Sequence, residues 1–207
     1  MKLQAILPSL TQGSSSMGTH RERSFIASVA SESGSLGYFG QLHAESLINP
    51  FNDFSWFGVG NSHFASHVLG HVGEPRAIPT LHWYFRSTDT GYLIYVRSQQ
   101  FFGRYIGHRR SCFGAFSTND EGRSTFRFDP LIGEEHRLGE EFVTRLISLD
   151  TGQPLCLRSR YFRYRVRKNH YEDKLCTFVA AGGGEPLHLR LKVVQTNAPY
   201  LDNPDEV

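Results

Sequence analysis

The triplet Asp-Thr-Gly occurs twice in this chain, at residues 89–91 and again at residues 150–152. Two aspartates held side by side share one proton and activate the water between them. A carboxylate pair of this kind would have to join Asp89 and Asp150, each supplied by its own lobe. A spacing of sixty-one residues is short for such a lobe, and Ser148 precedes the second triplet where an apolar strand is needed.

A turn between two β-strands is a simpler interpretation of both triplets. Aspartate bonds its own backbone in tight turns, and glycine supplies a positive φ. Aromatic and β-branched runs flank the triplets, at residues 81–85 and 92–96 and at residues 142–147 and 155–157, which is the hairpin signal. We therefore expect both aspartate carboxylates to be well separated and bonded to local backbone.

Three histidines, His63, His67 and His71, follow one another at intervals of four residues. This spacing places the imidazoles on one side of a regular element, and three such ligands would hold zinc with an open fourth position. The alternative is the polar face of a Gly-rich segment, opposite Phe64 and Val68. We expect no metal and no cofactor. The sequence alone does not decide whether the three histidines bind a metal.

Positive charge is concentrated after the second triplet, because residues 151–171 contain no acidic residue. In a strand, one face there would carry a tyrosine and three arginines, and the other would supply the core side with two aromatics and a valine. The first set is Tyr161, Arg163, Arg165 and Arg167, and the second is Phe162, Tyr164 and Val166.

A basic surface follows if these residues combine with arginines from the preceding part of the chain. The predicted partner-binding residues are Arg97, Arg104, Arg109, Arg158, Tyr161, Arg163, Arg165 and Arg167. Such a surface would bind phosphate, a sulfated glycan or an acidic protein face. The alternative is an edge strand that charge protects against aggregation. A net charge of only +2 is low for a protein dedicated to nucleic acid.

The spacing of sixty-one residues extends beyond the triplets themselves. Residues 96–98 (Val-Arg-Ser) correspond to residues 157–159 (Leu-Arg-Ser), and Arg104 corresponds to Arg165. A fainter copy occupies residues 25–40. This repetition predicts three pseudo-repeats beginning near Phe25, Leu81 and Phe142, with the two triplets in equivalent turns.

Composition predicts one all-β domain over residues 25–196, since 207 residues with 20 glycines suit many short strands joined by turns. Residues 1–24 read as a flexible arm, and residues 197–207 as a solvated tail. No apolar run is long enough to span a membrane. Three cysteines without metal-type spacing are expected to be buried thiols, which favours a reducing, cytoplasmic location; these are Cys112, Cys156 and Cys176.

These units resemble a β-trefoil, and most closely its fascin-like branch, whose units carry patterns such as residues 96–98, residues 103–107 and residues 126–128 (Phe-Arg-Phe). The resemblance covers roughly residues 22–196, and the Gln-x-Trp signature of ricin-type sugar-binding trefoils is absent. It implies a scaffold that presents loops to glycans, cytoskeletal proteins, receptors or proteases. A β-sandwich made of duplicated halves is the alternative fold.

The sequence thus predicts a non-enzymatic binding protein whose partner is a protein or glycan of acidic character. Two other functions stay open. One is binding of nucleic acid or another polyanion, and the other is an aspartic-type hydrolase built on Asp89 and Asp150. The identity of the partner and the oligomeric state lie beyond what the residues indicate.

Overall fold

The structure is a computed structural model that describes residues 19–42, 66–109, 112–117, 123–133, 135–167 and 170–198. Its described part is built almost entirely from β-strands. The two short helices are α1 (His20–Arg23) and α2 (Phe39–Leu42). The strands are β1 (Phe25–Ser31), β2 (Ser35–Tyr38), β3 (Leu69–Val72), β4 (Leu81–Ser87), β5 (Tyr92–Val96), β6 (Tyr105–Arg109), β7 (Cys112–Phe116), β8 (Thr125–Asp129), β9 (Glu141–Ser148), β10 (Gln153–Arg167), β11 (His170–Ala181), β12 (Glu185–Pro186) and β13 (Leu189–Thr196). The prediction of an all-β domain is confirmed.

Six of the strands form a closed antiparallel ring in the order β1, β4, β5, β8, β9 and β13. The pairing of β13 with β1 closes it, and Phe25 therefore lies opposite both Phe85 and Thr196. Closure leaves none of these six strands as the edge of an open sheet.

Each of three ring strands is followed along the chain by an antiparallel strand pair, which we call a hairpin although a long connection that includes α2 joins the first of these pairs. Strand β1 is followed by β2 and β3, β5 by β6 and β7, and β9 by β10 and β11. These three ring strands point the same way, because neighbours around the ring are antiparallel, and the hairpins therefore lie at one end of the ring. There they join: β11 pairs with β3 at Thr177–His71 and with β7 at Ala180–Cys112.

The core fills the ring and continues under the hairpins. Along β1 and β13 every second residue is buried, in the two-residue period that directs alternate side chains inward. Aromatic rings dominate the interior, and the rings of Phe25 and Phe85 stack at 4.8 Å. A second cluster beneath the hairpins contains Phe39, Val68 and Phe178.

The two Asp-Thr-Gly turns join different kinds of strands, so the prediction that they occupy equivalent positions is wrong. The first turn joins β4 to β5, which are both ring strands, whereas the second joins the ring strand β9 to the hairpin strand β10. The ring strands that lead into hairpins begin at Phe25, Tyr92 and Glu141, while Leu81 begins a returning strand. Asp, Thr and Gly satisfy a tight turn wherever one is needed, and their equal spacing therefore does not mark equivalent positions.

Short segments before β1 and after β13 contact the sheet. Thr19 and Glu22 form a capping box on α1, and Ser24 accepts a hydrogen bond through its hydroxyl from the Ser87 N–H at 3.0 Å. The N–H of Ala198 donates to the Ser24 carbonyl at 3.0 Å. Residues 19–24 and 197–198 are thus tied to the sheet, whereas residues 1–18 and 199–207 lie outside the described part.

The three cysteines are buried thiols that form no disulfide, as predicted. Cys112 and Cys176 belong to the cluster beneath the hairpins. Burial raises the pKa of the Cys112 thiol to about 12, which keeps it protonated at neutral pH. In the described ranges of the chain, no helix has the length and apolar character that crossing a membrane requires.

His136 lies against the aromatic interior of the ring, with only 3% of its side chain exposed. Its imidazole is 4.1 Å from the Phe25 ring and 5.8 Å from the Phe142 ring, measured between centroids. Burial lowers the pKa of His136, and the nearby Glu140 carboxylate opposes that shift. The folded protein therefore favours the neutral imidazole, while the unfolded chain takes up its proton near pH 6.5.

Stability is accordingly expected to fall as the pH drops below about 6.5, because the unfolded state then binds more protons. The variant His136→Phe keeps a ring in place and should reduce the loss of melting temperature between pH 7 and pH 5. Part of the loss should remain, since burial also lowers the pKa of His71 and His108. The exposed His188→Phe is the control, and an undiminished loss in His136→Phe would contradict the assignment.

Candidate functional site

The two turn aspartates do not form a carboxylate pair in the described structure. The Asp89 side chain is 95% exposed, and its Oδ1 lies 3.0 Å from His20 Nε2. Asp150 is exposed and makes no hydrogen bond to any described residue. The two turns flank β8, because Tyr92 and Ser148 both lie opposite Phe126. Even so, no hydrogen bond joins the aspartates through which they would share a proton.

The prediction that Asp89 bonds local backbone is wrong, since a threonine performs that task. The Thr88 hydroxyl donates to the Gly91 carbonyl at 3.0 Å and accepts from the Gly91 N–H at 3.2 Å. Asp89 instead contacts His20 of α1, whose ring also lies 3.4 Å from Ser87 Oγ at the end of β4. The first triplet is thus a structural turn with one long-range contact.

The histidines at four-residue intervals are directed at different neighbours. His63 lies outside the described residues. The His67 ring meets the Phe116 ring edge-on at 4.9 Å, whereas Nε2 of the buried His71 lies 3.1 Å from Ser31 Oγ. Across the part of the chain that the structure describes, no group of three His, Cys, Asp or Glu side chains is placed to hold a metal ion.

Two of the predicted binding arginines, Arg97 and Arg104, are stacked on aromatic rings of the protein. Arg97 lies 5.1 Å from the Tyr84 ring centre and 5.2 Å from that of Phe102. Arg104 lies 4.8 Å from the Phe101 ring centre. Burial lowers the pKa of Arg97, which Tyr84 partly counteracts. Both arginines belong to the loop between β5 and β6, where such contacts fix their orientation.

Two other predicted arginines lie elsewhere. Arg109 is exposed at the end of β6, opposite Cys112, whose other neighbour is Ala180 of β11. Arg158 is exposed on β10, opposite Phe178 of β11. The predicted set is thus divided among the β5–β6 loop, the end of the β6–β7 hairpin and β10.

The β10–β11 hairpin is much longer than its neighbours. Other described strands contact only its base, where β12 pairs at Cys156 and Leu157 and β3 pairs at Thr177 and Phe178. Beyond this base, residues 159–167 and 170–176 form a two-stranded projection, which we call the ribbon. At about 3.3 Å per residue, the β10 side of the ribbon extends for about 30 Å.

Cross-strand pairs define one face of the ribbon. Ser159 and Thr177 join their hydroxyls at 2.7 Å at its base. Tyr161 lies opposite Leu175, and these two side chains are 68% and 52% exposed. The register next places Arg163 opposite Asp173. Because opposite residues share a face of the sheet, Ser159 with Thr177 and Tyr161 with Leu175 define this face at the start of the ribbon.

The predicted division of β10 into a basic face and a core face is tested only at its base. There Leu155 and Leu157 enter the central core. In a regular strand these leucines would share a face with Tyr161 and Arg163, which the prediction had placed on the basic face. The side chains of residues 162–167 lie outside the description, and the predicted core role of Phe162, Tyr164 and Val166 stays a prediction. A register shift between Arg165 and Arg167 interrupts the alternation.

A cleft of about 440 Å³ lies beside Arg97, at residues that no sequence motif marked. Three segments build it: α2, the residues leading into β4, and the β5–β6 loop. Only the polar run Ser98-Gln99-Gln100 after a strand offered a local signal, because Gln41 and His82 reach the cleft from other parts of the sequence.

Comparison with known proteins gives no assignment for this arrangement of strands and side chains. No family model matches the chain, and neither a curated protein nor a solved structure matches it.

Proposed function

We propose that this chain is a β-trefoil of the fascin-like kind, and that it is a non-enzymatic binding protein whose ribbon takes up an acidic protein segment. A closed ring of six strands with three hairpins at one end supports the fold. The observation that carries the function is the outer edge of β10, which no described strand covers from Arg158 to Arg167.

An uncovered strand edge binds another extended chain through main-chain hydrogen bonds. The inner edge of β10 is already paired with β11, so a partner strand would add on the outer side. A glycan lacks the regular N–H and C=O groups that such an edge recognises. This geometry therefore favours a protein partner over a carbohydrate.

Charge on β10 determines which protein segment would be accepted. Exposed Arg158 stands at the start of the uncovered edge, and further arginines follow at Arg160, Arg163, Arg165 and Arg167. Charged side chains on an edge discourage pairing between identical strands. The same charges attract an acidic strand, and the exposed pair of Tyr161 and Leu175 offers it an apolar contact.

A fluorescent peptide of alternating Glu and Val residues tests this proposal, because it is acidic and favours an extended conformation. We expect wild-type protein to bind it with an affinity that falls as salt rises. The double variant Arg158→Glu with Arg163→Glu should weaken binding at least tenfold. Arg127→Glu is the matched control, since Arg127 is an exposed strand arginine outside the ribbon, and it should leave affinity unchanged.

Melting temperatures accompany the binding data, because exposed substitutions usually change stability by only about 0.5 kcal/mol. Full affinity in the double variant, or no binding by the wild type, would overturn the proposal. Heparin and single-stranded DNA are tested alongside. Tighter binding of either than of the peptide, lost in the same variant, would identify a polyanion-binding protein instead. If the variant unfolds, salt dependence and competition among the three probes on wild-type protein decide.

A further inference from the structure

Three buried polar atoms lie where the β6–β7 hairpin meets β8 and β9. They are Nε2 of His108 and the hydroxyl oxygens of Ser124 and Ser148. Ser124 is 1% exposed and Ser148 is 0% exposed. None of the three atoms forms a hydrogen bond with a residue that the structure describes. A buried polar group without a partner is costly, and such groups in folded proteins are normally bonded to protein or to ordered water.

The strand register places both serines beside one aromatic ring, that of Phe126. Ser124 precedes Phe126 by two residues, and both are buried, whereas Thr125 between them is partly exposed. Ser148 lies directly opposite Phe126 on β9, and opposite residues share a face of a sheet. The two hydroxyls are therefore on the inner face, one on each side of the Phe126 ring.

His108 approaches the Phe126 ring from the hairpin. It lies opposite Phe113 of β7, and the centres of these two rings are 5.1 Å apart. The Phe113 ring in turn lies 5.7 Å from the Phe126 ring. His108 is partly exposed as a residue, but its Nε2 is buried. The imidazole thus packs on the aromatic rings that also adjoin the serines.

An isolated backbone bridge between Gly107 and Arg123 joins the hairpin to the residues before β8. Arg123 is exposed. Side chains alternate between the two faces of a strand, so the neighbours of a bridged pair point to the opposite face. His108 and Ser124 both adjoin this bridge and therefore both point inward. The three unpartnered atoms thus converge between the hairpin and the ring.

The chemistry of these groups identifies what the site takes up. Serine hydroxyls donate and accept hydrogen bonds, and a neutral imidazole has one N–H donor and one acceptor nitrogen. Burial lowers the pKa of His108, which favours the neutral form, although the Asp150 carboxylate opposes that shift. The same carboxylate disfavours an anion. Water both donates and accepts, and a buried water typically makes about three hydrogen bonds.

We propose that this site binds water, which bridges His108 Nε2, Ser124 Oγ and Ser148 Oγ and thereby attaches the β6–β7 hairpin to the ring. Relaxation dispersion of the water oxygen-17 nucleus tests the proposal, because it detects water held inside a protein for longer than the protein tumbles. Exchange of hydroxyl protons does not affect it. Wild-type protein should show such long-lived water.

The double variant Ser124→Ala with Ser148→Ala should lose about the contribution of one water molecule to the dispersion amplitude. Ser28→Ala is the control, since it removes a partly exposed hydroxyl from the ring strand β1, and it should lose none. If the double variant does not fold, each single serine variant should still reduce the amplitude. The ribbon variant Arg158→Glu with Arg163→Glu should keep the full amplitude, so the outcome is separate from that of the acidic-peptide experiment.

Melting temperature supplies a second measurement. The double variant loses the hydrogen bonds that water makes with the hydroxyls, and it should melt about 2–4 °C lower than the wild type. Hydroxyls that stay unbonded cost stability, so their removal would instead raise the melting temperature. Such a rise, an undiminished amplitude in the serine variants, or the absence of long-lived water from wild-type protein would each overturn the proposal.

Discussion

The variant Phe85→Ala should lose about 3–5 kcal/mol of unfolding free energy, which is the usual cost of deleting a buried phenylalanine. Phe85 is fully buried in the ring. Its ring centre lies 4.8 Å from that of Phe25, 5.6 Å from Phe128 and 6.3 Å from Tyr92. The cavity would therefore open among rings from three other strands, where little local collapse is available to fill it.

Urea unfolding measured by intrinsic fluorescence checks this expectation. Domains have only about 5–15 kcal/mol of stability, so the loss should be visible as a large fall in the denaturation midpoint. Tyr161→Ala is the matched control, because it removes an aromatic side chain that is largely exposed on the ribbon. It should change stability by about 0.5 kcal/mol or less. Similar costs for the two variants would mean that the aromatic interior of the ring is assigned incorrectly.

Alanine substitution in the two Asp-Thr-Gly turns should have unequal effects. A Cβ added to Gly91 would lie 2.3 Å from the Phe126 carbonyl oxygen, a backbone atom of β8 that has no rotamer to adjust. Gly91→Ala should therefore cost about 3 kcal/mol, toward the upper end for overpacking. The β4–β5 turn and β8 would have to separate for the methyl group to fit.

Gly152 is the natural comparison, since it has the same position in the second triplet. Nothing lies within 4 Å of a Cβ placed there, but its φ is +67°. Gly152→Ala should thus cost about 1 kcal/mol, from the backbone conformation alone. Chemical denaturation of both variants distinguishes the two mechanisms. Equal losses would indicate equivalent turns, as the repeat in the sequence first suggested.

Local sequence signals predicted the strands well and their arrangement poorly. The aromatic runs before and after Asp89 form β4 and β5. They could be predicted because hydrophobic period, side-chain type and turn chemistry all act within a few residues. Ring closure depends instead on Phe25 meeting Thr196, a contact between distant segments that leaves no local pattern. The misplaced repeat has the same origin, since identical turn chemistry occurs at positions with different long-range partners.

The residues of the candidate site were also only partly predictable from the sequence. Exposure of Arg158 and Tyr161 on a strand could be predicted, because a basic, acid-free segment is rarely buried. The orientation of Arg97 could not, since it depends on Tyr84 of the neighbouring strand and on Phe102. No sequence pattern marked Gln41 as a residue of the cleft. It reaches the cleft only because α2 lies beside the entry to β4.

Closure of the ring by its first and last strands also determines when this protein is vulnerable during synthesis. Strands β1 and β9 both pair with β13, and each has an open edge until residues 189–196 have been made. Contacts that span so much of the sequence form late and slowly. A nascent chain therefore carries two unpaired strand edges, of the type that promotes aggregation, until β13 emerges from the ribosome.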